Sequence, residues 1–272
     1  MTDYKILRPG TGLVIDGVRT PLPEVNVVNF LDAPELAMSQ ADGETRKPEE
    51  PIYLAVLHTT TGRMPQRLVP GAGPAGDLAE RTARSWSNSE RVASAHLIVD
   101  WDGQIVQIAD LAQKITYHAG HREVNHRSVG IELAIASDGR LWEVQMEALM
   151  ALLACLTRHP RFAIGRVYAK GDWPMAGIAD FRGIISHRDV GNRGEGDCGP
   201  VPYQYLDKHG YTPIAFPGPA MAAYWRGVQT QANALLAARD PLKVDGDPGP
   251  KTFAALRHLR AVLPDYDATG LP

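Results

Sequence analysis

Residues 52–58 read Ile-Tyr-Leu-Ala-Val-Leu-His, an unbroken apolar run that ends on a histidine. A continuous apolar run of this length predicts a strand that is buried on both faces of a sheet. Such a strand places the imidazole of His58 at the rim of the sheet. A second run, Gly183-Ile-Ile-Ser-His187, has the same form. The sequence therefore predicts two core strands that each end in a histidine at an edge of the sheet.

A cysteine completes a candidate metal site with these two histidines. Cys198 follows His187 in a glycine-rich loop, Gly194-Glu-Gly-Asp-Cys198. Two imidazoles and a thiolate suit Zn²⁺, and three protein ligands leave a fourth position for a reactive water. The alternative for each histidine is a structural hydrogen bond at the end of its strand.

Six short motifs surround these residues and occur in one order along the chain. They are Leu57-His58-Thr59-Thr60, Ser94-Ala95-His96-Leu97-Ile98, Asp102-Gly103, Tyr117-His118-Ala119-Gly120, Ser128-Val129-Gly130-Ile131-Glu132-Leu133 and Ser186-His187-Arg188-Asp189-Val190. Together they resemble the zinc-dependent N-acetylmuramoyl-L-alanine amidases of type 2, which are related to the peptidoglycan recognition proteins. The resemblance covers roughly residues 50–205. It implies a zinc ion held by His58, His187 and Cys198, and peptidoglycan as the substrate.

The third zinc ligand has an alternative. Asp197 precedes Cys198, and some members of the family use an aspartate at this place. The order Cys198-Gly199-Pro200 differs from the Pro-Gly order that is common in the family. Alignment with the family motif therefore leaves the third ligand at either Cys198 or Asp197. We take Cys198 because thiolate binds zinc better than carboxylate.

Glu132 is the candidate for the proton-transferring group. It lies in the apolar run Val129-Gly-Ile-Glu-Leu133, where alternation points Ile131 and Leu133 to one face and Glu132 to the other. A carboxylate in such a strand is costly unless it is paired or lies in a cleft, where desolvation suits it to acid–base catalysis. The alternative is a glutamate that is satisfied by an ion pair or by water. The resemblance also assigns a catalytic acid to this motif.

Four further residues are candidates for substrate contacts: His96, Tyr117, His118 and Arg193. For His96 a structural hydrogen-bonding role is an equal alternative. Tyr117 and His118 resemble a substrate-side motif in which the imidazole holds a carbonyl oxygen or the sugar. The family often places Lys or Thr two positions before the last ligand to stabilise the oxyanion. Here that position is Gly196, and Arg193 or a backbone N–H is the possible substitute.

Composition limits the classes of partner. The formal net charge of −3 gives no electrostatic case for nucleic acid or an anionic membrane. No segment approaches the roughly 20 apolar residues of a membrane span, and the N-terminus lacks the apolar core of a signal peptide. With only two cysteines, Cys155 and Cys198, we expect synthesis in a reducing cytoplasm and no disulfide. A wall-directed enzyme would then act after release, with access provided by a separate membrane-lesion protein.

Three regions are predicted along the chain. Residues 1–50 are expected to form an N-terminal extension packed on the catalytic domain, which includes a hairpin at Asp16-Gly17. Residues 51–217 are expected to form the amidase domain, a mixed central β-sheet flanked by helices of the α/β or α+β class. Residues 218–272 are expected to form a small helical domain. Its Asp245-Gly246 and Pro248-Gly249-Pro250 turns resemble those of peptidoglycan-binding modules, although an ordinary helical hairpin is the alternative.

Strands are predicted over residues 52–57 and 129–135, and helices over 77–87 and 143–158. A hairpin is predicted at Asp102-Gly103, between residues 95–99 and 104–108. The function expected from these features is cleavage of the amide between N-acetylmuramic acid and L-alanine by a phage-type endolysin. One alternative is a cytosolic amidase that recycles soluble muropeptides, and another is a recognition protein that binds without cutting.

Overall fold

The computed structural model describes residues 10–39, 43–60, 78–87, 94–135, 141–170, 178, 181–190 and 198–215, and beyond these 226, 229–230, 232–235, 241–244 and 255. The chain forms two compact units. The first contains residues 1–169 and 181–213, and the second contains residues 170–180 and 214–272.

The first unit carries most of the strands and helices. The strands are β1 (Leu13–Ile15), β2 (Val18–Thr20), β3 (Val27–Asn29), β4 (Gly43–Thr45), β5 (Leu54–Thr59), β6 (Leu97–Val99), β7 (Ile105–Gln107), β8 (Lys114–Thr116), β9 (Ser128–Leu133), β10 (Val167–Lys170), β11 (Gly183–Ser186) and β12 (Thr212–Ala215). The α-helices are α1 (Leu78–Ser87), α2 (Arg122–His126), α3 (Glu143–Arg158) and α4 (Val201–Lys208), and short 3₁₀ turns cover Pro34–Leu36 and His187–Val190.

Eight of these strands form one mixed sheet, in the order β12-β10-β11-β5-β9-β6-β7-β3. The neighbours from β10 to β6 pair in parallel, β6 pairs antiparallel with β7, and β3 pairs in parallel with β7. β1 pairs with β2, and β4 pairs with β8, in two small antiparallel sheets. The structure thus confirms the predicted mixed sheet and the antiparallel pair that flanks Asp102-Gly103.

Both faces of the large sheet are covered by apolar side chains. On one face, Leu97, Ile131 and Leu133 pack in the cluster that contains the inner face of α3. On the other face, Ile98 and Val106 pack with Ala79 and Ala83 of α1. β5 therefore lies in the interior of the sheet, and Leu54–Leu57 are fully buried. This burial explains the unbroken apolar run that the sequence shows there.

The N-terminal segment contributes directly to the sheet. Asp16 and Gly17 have φ of 54° and 76°, as a two-residue hairpin turn with both central residues in the left-handed region requires. The predicted hairpin is therefore present as β1 and β2. Beyond the sequence expectation of a packed extension, β3 becomes an edge strand of the main sheet, with Val27 and Val28 beside Ile105 and Val106.

In the second unit, the described residues between 226 and 235 are helical. Asn233 lies in this region and exchanges two hydrogen bonds with the backbone of Leu242, at 2.9 and 2.6 Å. The predicted turns at 245–250 lie outside the described residues, so the peptidoglycan-binding module stays a prediction. Within the part of the chain that the structure describes, no helix has the length and apolarity needed to cross a membrane.

Candidate active site

The candidate site forms where three adjacent parallel strands end. β11, β5 and β9 are neighbours that run in the same direction, so their carboxyl ends meet at one edge of the sheet. His58 lies near the end of β5, His187 directly follows β11, and Glu132 lies near the end of β9. This edge is where open parallel sheets bind their ligands. The two strand-ending histidines therefore meet as the sequence predicts.

The rings of His58 and His187 contact each other edge to face. Their Nδ1 atoms lie 2.9 Å apart, and the ring centroids lie 4.5 Å apart. Both side chains are buried. Each imidazole can bind a metal through a nitrogen lone pair, and the two Nδ1 atoms are close enough to bind the same ion.

Two of the predicted ligands fit a zinc ion on this geometry. Nitrogen ligands of a tetrahedral Zn²⁺ lie about 3.3 Å apart when each Zn–N bond is about 2.0–2.1 Å long. The observed Nδ1–Nδ1 separation of 2.9 Å is close to that value. Among the described residues, however, no group of three or more His, Cys, Asp or Glu side chains has the arrangement of a complete metal site.

Cys198 is buried and has an unusual backbone. Its φ is 75°, in the left-handed region that side chains other than glycine rarely adopt. Backbone strain of this kind clusters at functional sites. Nevertheless, Cys198 does not complete a three-ligand group with the two histidines in this structure. Asp197, the alternative ligand, and Arg193 and Gly196 lie outside the described residues.

Glu132 and His58 are register partners on neighbouring strands. Matched residues of parallel strands point to the same face of a sheet, so the carboxylate and the imidazole share one face. Ile131 and Leu133 point to the opposite face, where they pack in the core. Glu132 is only half-buried. The alternation that singled out this carboxylate in the sequence is thus present, and it places Glu132 beside the histidine pair.

His118 lies against His58 and has both ring nitrogens engaged. Its Nδ1 lies 2.9 Å from His58 Nε2, and its Nε2 lies 3.0 Å from Ser128 Oγ. Burial lowers the pKa of His118 well below the usual value, and the neighbouring His58 and His96 lower it further. With both nitrogens occupied, a neutral His118 has no polar atom left for a carbonyl oxygen or a sugar. We therefore replace the substrate contact expected from the sequence with a structural or positioning role.

His96 is fully buried and is bound to the sheet backbone. Its Nε2 lies 3.0 Å from the carbonyl oxygen of Lys114, and its Nδ1 accepts the N–H of Gly130 at 3.0 Å. Burial lowers the pKa of His96 to about 3, with a further contribution from the charge of Arg46. These contacts favour the structural alternative for His96 over the substrate contact.

Tyr117 is the predicted substrate residue that stays partly accessible. Its hydroxyl donates to Glu44 Oε1 at 3.0 Å. Loss of solvent raises the pKa of the phenol, and the contact with Glu44 adds to the effect. Because Glu44 lies on β4, the N-terminal segment reaches the neighbourhood of the predicted substrate motif. Tyr117 stays a candidate for substrate binding.

Asp189 and Tyr203 brace the turn that holds His187. Asp189 Oδ2 accepts the backbone N–H of Ser186 at 2.7 Å, and the Tyr203 hydroxyl lies 3.3 Å from the same oxygen. Asp189 therefore orients the backbone just before His187. Tyr203 was not predicted. Burial raises its pKa well above the usual value, and Cys198 and Asp189 raise it further.

The fold and this site define the class of protein: a mixed α/β domain with a cluster of imidazoles and a carboxylate at the carboxyl edge of its parallel strands. The particular family follows from sequence. The family model described as N-acetylmuramoyl-L-alanine amidase (Amidase_2) matches residues 48–200, more than half of the chain. The chain belongs to this family.

Solved structures with a similar fold have low sequence identity to the chain. A selenomethionine derivative of AmpD is 22% identical, with 62% of this chain and 92% of that chain covered and a TM-score of 0.40. The endolysin amidase LysCS from Clostridium intestinale URNW is 18% identical, with 68% and 94% covered and a TM-score of 0.40. The Drosophila peptidoglycan recognition protein PGRP-SA is 12% identical, with 71% and 98% covered and a TM-score of 0.46. No curated protein sequence matches the chain.

Proposed function

We propose that this protein is a zinc-dependent amidase that hydrolyses the bond between N-acetylmuramic acid and L-alanine in peptidoglycan. One observation carries the proposal: the Nδ1 atoms of His58 and His187 face each other at 2.9 Å, and Glu132 is the register partner of His58. Membership of the N-acetylmuramoyl-L-alanine amidase family supports the choice of substrate bond.

In this proposal, His58, His187 and Cys198 hold the zinc ion, with Asp197 as the alternative third ligand. When bound, Zn²⁺ polarises the scissile carbonyl and lowers the pKa of a water to about 7. The residues of the chain then have separate tasks. The half-buried Glu132 takes a proton from the attacking water and delivers it to the leaving amine. Asp189 and Tyr203 hold the backbone that carries His187.

The substrate side of the cleft is proposed to include Tyr117. Its hydroxyl is held by Glu44 and it remains partly accessible. A positioned phenol can hold a carbonyl oxygen or a sugar hydroxyl by a hydrogen bond. Arg193, which lies outside the described residues, stays a proposal for oxyanion stabilisation.

The activity can be tested on purified peptidoglycan with analysis of the released ends. We expect new N-terminal alanine, and we expect it to disappear with a chelator and return when zinc is added. The Glu132→Ala variant should release none while it still binds zinc. New reducing sugars without free alanine would instead indicate a glycosidase. Zinc binding without any cleavage would indicate a peptidoglycan recognition protein that does not cut.

We further propose that the enzyme acts as an endolysin, made in the cytoplasm and dependent on a separate membrane-lesion protein for access to the wall. The support is the predicted wall-binding character of residues 218–272. Sedimentation of the full-length protein with insoluble peptidoglycan tests this role, with a variant that ends at residue 217 as the comparison. Strong loss of polymer binding in the shortened variant is expected. Equal activity of both variants on soluble muropeptides, with no polymer binding by either, would favour the recycling amidase.

A further inference from the structure

A row of hydrogen bonds connects a backbone carbonyl to His58. The hydroxyl of Ser128 donates to the carbonyl oxygen of Val124 at 2.6 Å. Ser128 Oγ also lies 3.0 Å from His118 Nε2, and His118 Nδ1 lies 2.9 Å from His58 Nε2. All three side chains are buried. The row therefore starts at a group that can only accept and ends on a predicted zinc ligand.

The direction of each hydrogen bond follows from the number of protons available. Ser128 has one hydroxyl proton, which it donates to Val124, so its oxygen has to accept from His118 Nε2–H. A neutral imidazole has one N–H, so His118 Nδ1 is left with a lone pair. That lone pair accepts from His58, whose proton consequently lies on Nε2. His58 Nδ1 is then the nitrogen with the lone pair.

We propose that His118, anchored by Ser128, is a positioning residue that holds His58 in the Nε2–H tautomer and so presents its Nδ1 lone pair toward His187. The proposal rests on the proposed function only in that a zinc ion is expected at this lone pair. It also replaces the substrate role that the sequence suggested for His118.

Gly130 gives independent support, because it provides the space in which the His118 ring lies. A Cβ added to Gly130 would lie 2.5 Å from His118 Cγ, 2.7 Å from Cδ2 and 2.9 Å from Nδ1. These separations are too short for any side chain. The strand next to β5 thus carries a glycine at the position where the ring packs on it. Contact with the sheet therefore restricts the position of the ring in addition to the two hydrogen bonds.

The chemistry of metal sites agrees with this arrangement. A histidine that binds a metal through one nitrogen usually donates its other N–H to an acceptor, which fixes the tautomer and the ring orientation. That acceptor is often a carboxylate or a backbone carbonyl. Here it is a second imidazole, which is made an acceptor by Ser128 and the carbonyl of Val124. A neutral acceptor places no extra negative charge beside the site.

The tautomer can be measured directly by long-range ¹H–¹⁵N NMR of protein labelled with ¹⁵N-histidine, with a chelator present. In the wild type we expect His58 to have a protonated Nε2 and a non-protonated Nδ1. In His118→Phe, which keeps a ring but has no acceptor, we expect a mixture of both tautomers. In His118→Asn, whose amide oxygen can replace Nδ1 as acceptor, we expect the wild-type tautomer. A wild-type His58 that is protonated on Nδ1 would overturn the proposal.

Zinc affinity provides a second measurement that does not depend on catalysis. Competition with a chromophoric chelator should show a dissociation constant about 10–100-fold higher for His118→Phe than for the wild type. Ser128→Ala should weaken zinc binding in the same direction, and His118→Asn should restore most of the affinity. His159→Phe is the matched control, since His159 lies at the end of α3 and contacts Phe162 and the backbone of Arg161. It should bind zinc like the wild type.

The outcomes separate this proposal from the proposed function. If the wild type binds no zinc but His58 has the Nε2–H tautomer and loses it in His118→Phe, the zinc function fails and the positioning role stands. If the wild type and all cooperatively folded variants bind zinc equally well, the positioning role fails and the zinc site stands. If His118→Phe does not fold, Ser128→Ala and the wild-type tautomer decide the question.

Discussion

At the scale of single residues, Glu132 has the most direct predicted effect on activity. The Glu132→Gln variant keeps the size and the hydrogen-bonding capacity of the side chain but cannot take up a proton. We expect the rate of amide hydrolysis to fall by about 10²–10⁴-fold, the range of general acid–base contributions. Zinc affinity should stay within about threefold of the wild type, since Glu132 is not a predicted ligand. The measurements are alanine release and chelator competition.

The control for this prediction is Glu123→Gln, the same substitution on the exposed face of α2. This variant should retain wild-type activity. Full activity of Glu132→Gln would remove Glu132 from the mechanism, whereas loss of both activity and zinc would make it a metal ligand.

We predict that a substitution at Gly130 affects zinc binding through the His118 ring, which lies over this glycine. Gly130→Ala adds only a methyl group, but this methyl would overlap the His118 ring. Because the ring also packs against His58, we expect weaker zinc binding of the same order as in His118→Phe. We also expect a loss of about 1–3 kcal/mol of unfolding free energy from overpacking. Urea denaturation and chelator competition measure the two effects, and unchanged zinc affinity would show that the ring position is not needed.

The lowered pKa of the buried His96 predicts how the free energy of unfolding depends on pH. Its pKa is about 3 in the folded protein and about 6.5 when unfolded. Between these values the unfolded state binds more protons, so the free energy of unfolding falls as the pH falls from 6.5 toward 3. The slope for one such group approaches about 1.4 kcal/mol per pH unit. His118 acts in the same direction, since its pKa is also lowered by burial.

The test is chemical denaturation at several pH values with a chelator present, so that zinc makes no contribution. His96→Gln removes one of the two titrations, and its free energy of unfolding should vary less steeply with pH than that of the wild type. An identical slope in both proteins would show that His96 does not remain neutral in the folded state at low pH.

At the scale of secondary-structure elements, one carboxylate connects the N-terminal hairpin to the loop before β8. Asp110 accepts the backbone N–H groups of Asp16, Gly17, Ala112 and Gln113 at 2.7–3.1 Å. Asp110→Ala leaves these donors without their acceptor, so we expect a loss of about 1–3 kcal/mol of unfolding free energy. Asp102 is the comparison: Asp102→Ala removes the acceptor of the Gln104 backbone N–H, and a smaller loss is expected. Equal losses would contradict the role of Asp110 as a multiple acceptor.

The elements also show which parts of the fold the sequence could specify. The bounds of α3 were predicted to the residue, and Met146, Leu149, Leu153 and Leu156 form its buried face, because a long amphipathic period is a strong signal. Short strands give no such signal. β8, β10 and β12 contain three or four residues each, and their pairing depends on partners that are remote in sequence. The helix α2 is also too short, at five residues, to give a periodic signal.

The candidate site likewise contains residues whose positions the sequence could specify and one whose role it could not. The positions of His58 and His187 could be predicted because each ends an apolar strand, and strand ends meet at a sheet edge. Glu132 could be predicted from alternation within one strand. The role proposed for His118 could not, because it depends on the ring lying across Gly130 and on the proton direction set by Ser128. Residue type and spacing give the same prediction for an imidazole that touches substrate and for one that supports a ligand.

At the scale of the whole molecule, the N-terminal segment is predicted to be part of the amidase fold. The family model begins at residue 48, whereas β3 pairs with β7 at the edge of the main sheet, and Leu13 and Ile15 are buried in the main core. Arg46 is also buried, and it donates to the carbonyl oxygens of Lys114 and Ser128 at 3.1 and 3.0 Å. These contacts join the segment to the strand that carries Glu132.

A variant that starts at residue 48 should therefore lose more than an appendage. It exposes the edge of β7 and the apolar surface that the hairpin and β3 cover, and an uncovered apolar edge strand promotes aggregation. We expect poor solubility, or a loss of a few kcal/mol of unfolding free energy. Such a loss would lower the thermal unfolding temperature by about 10 °C or more. A variant that starts at residue 10 retains β1–β4 and is the control. Size-exclusion chromatography and thermal unfolding distinguish the two. If the variant that starts at residue 48 unfolded at the same temperature as the control and retained its activity, the N-terminal segment would be a dispensable extension, because β7 would then be stable as an edge strand on its own.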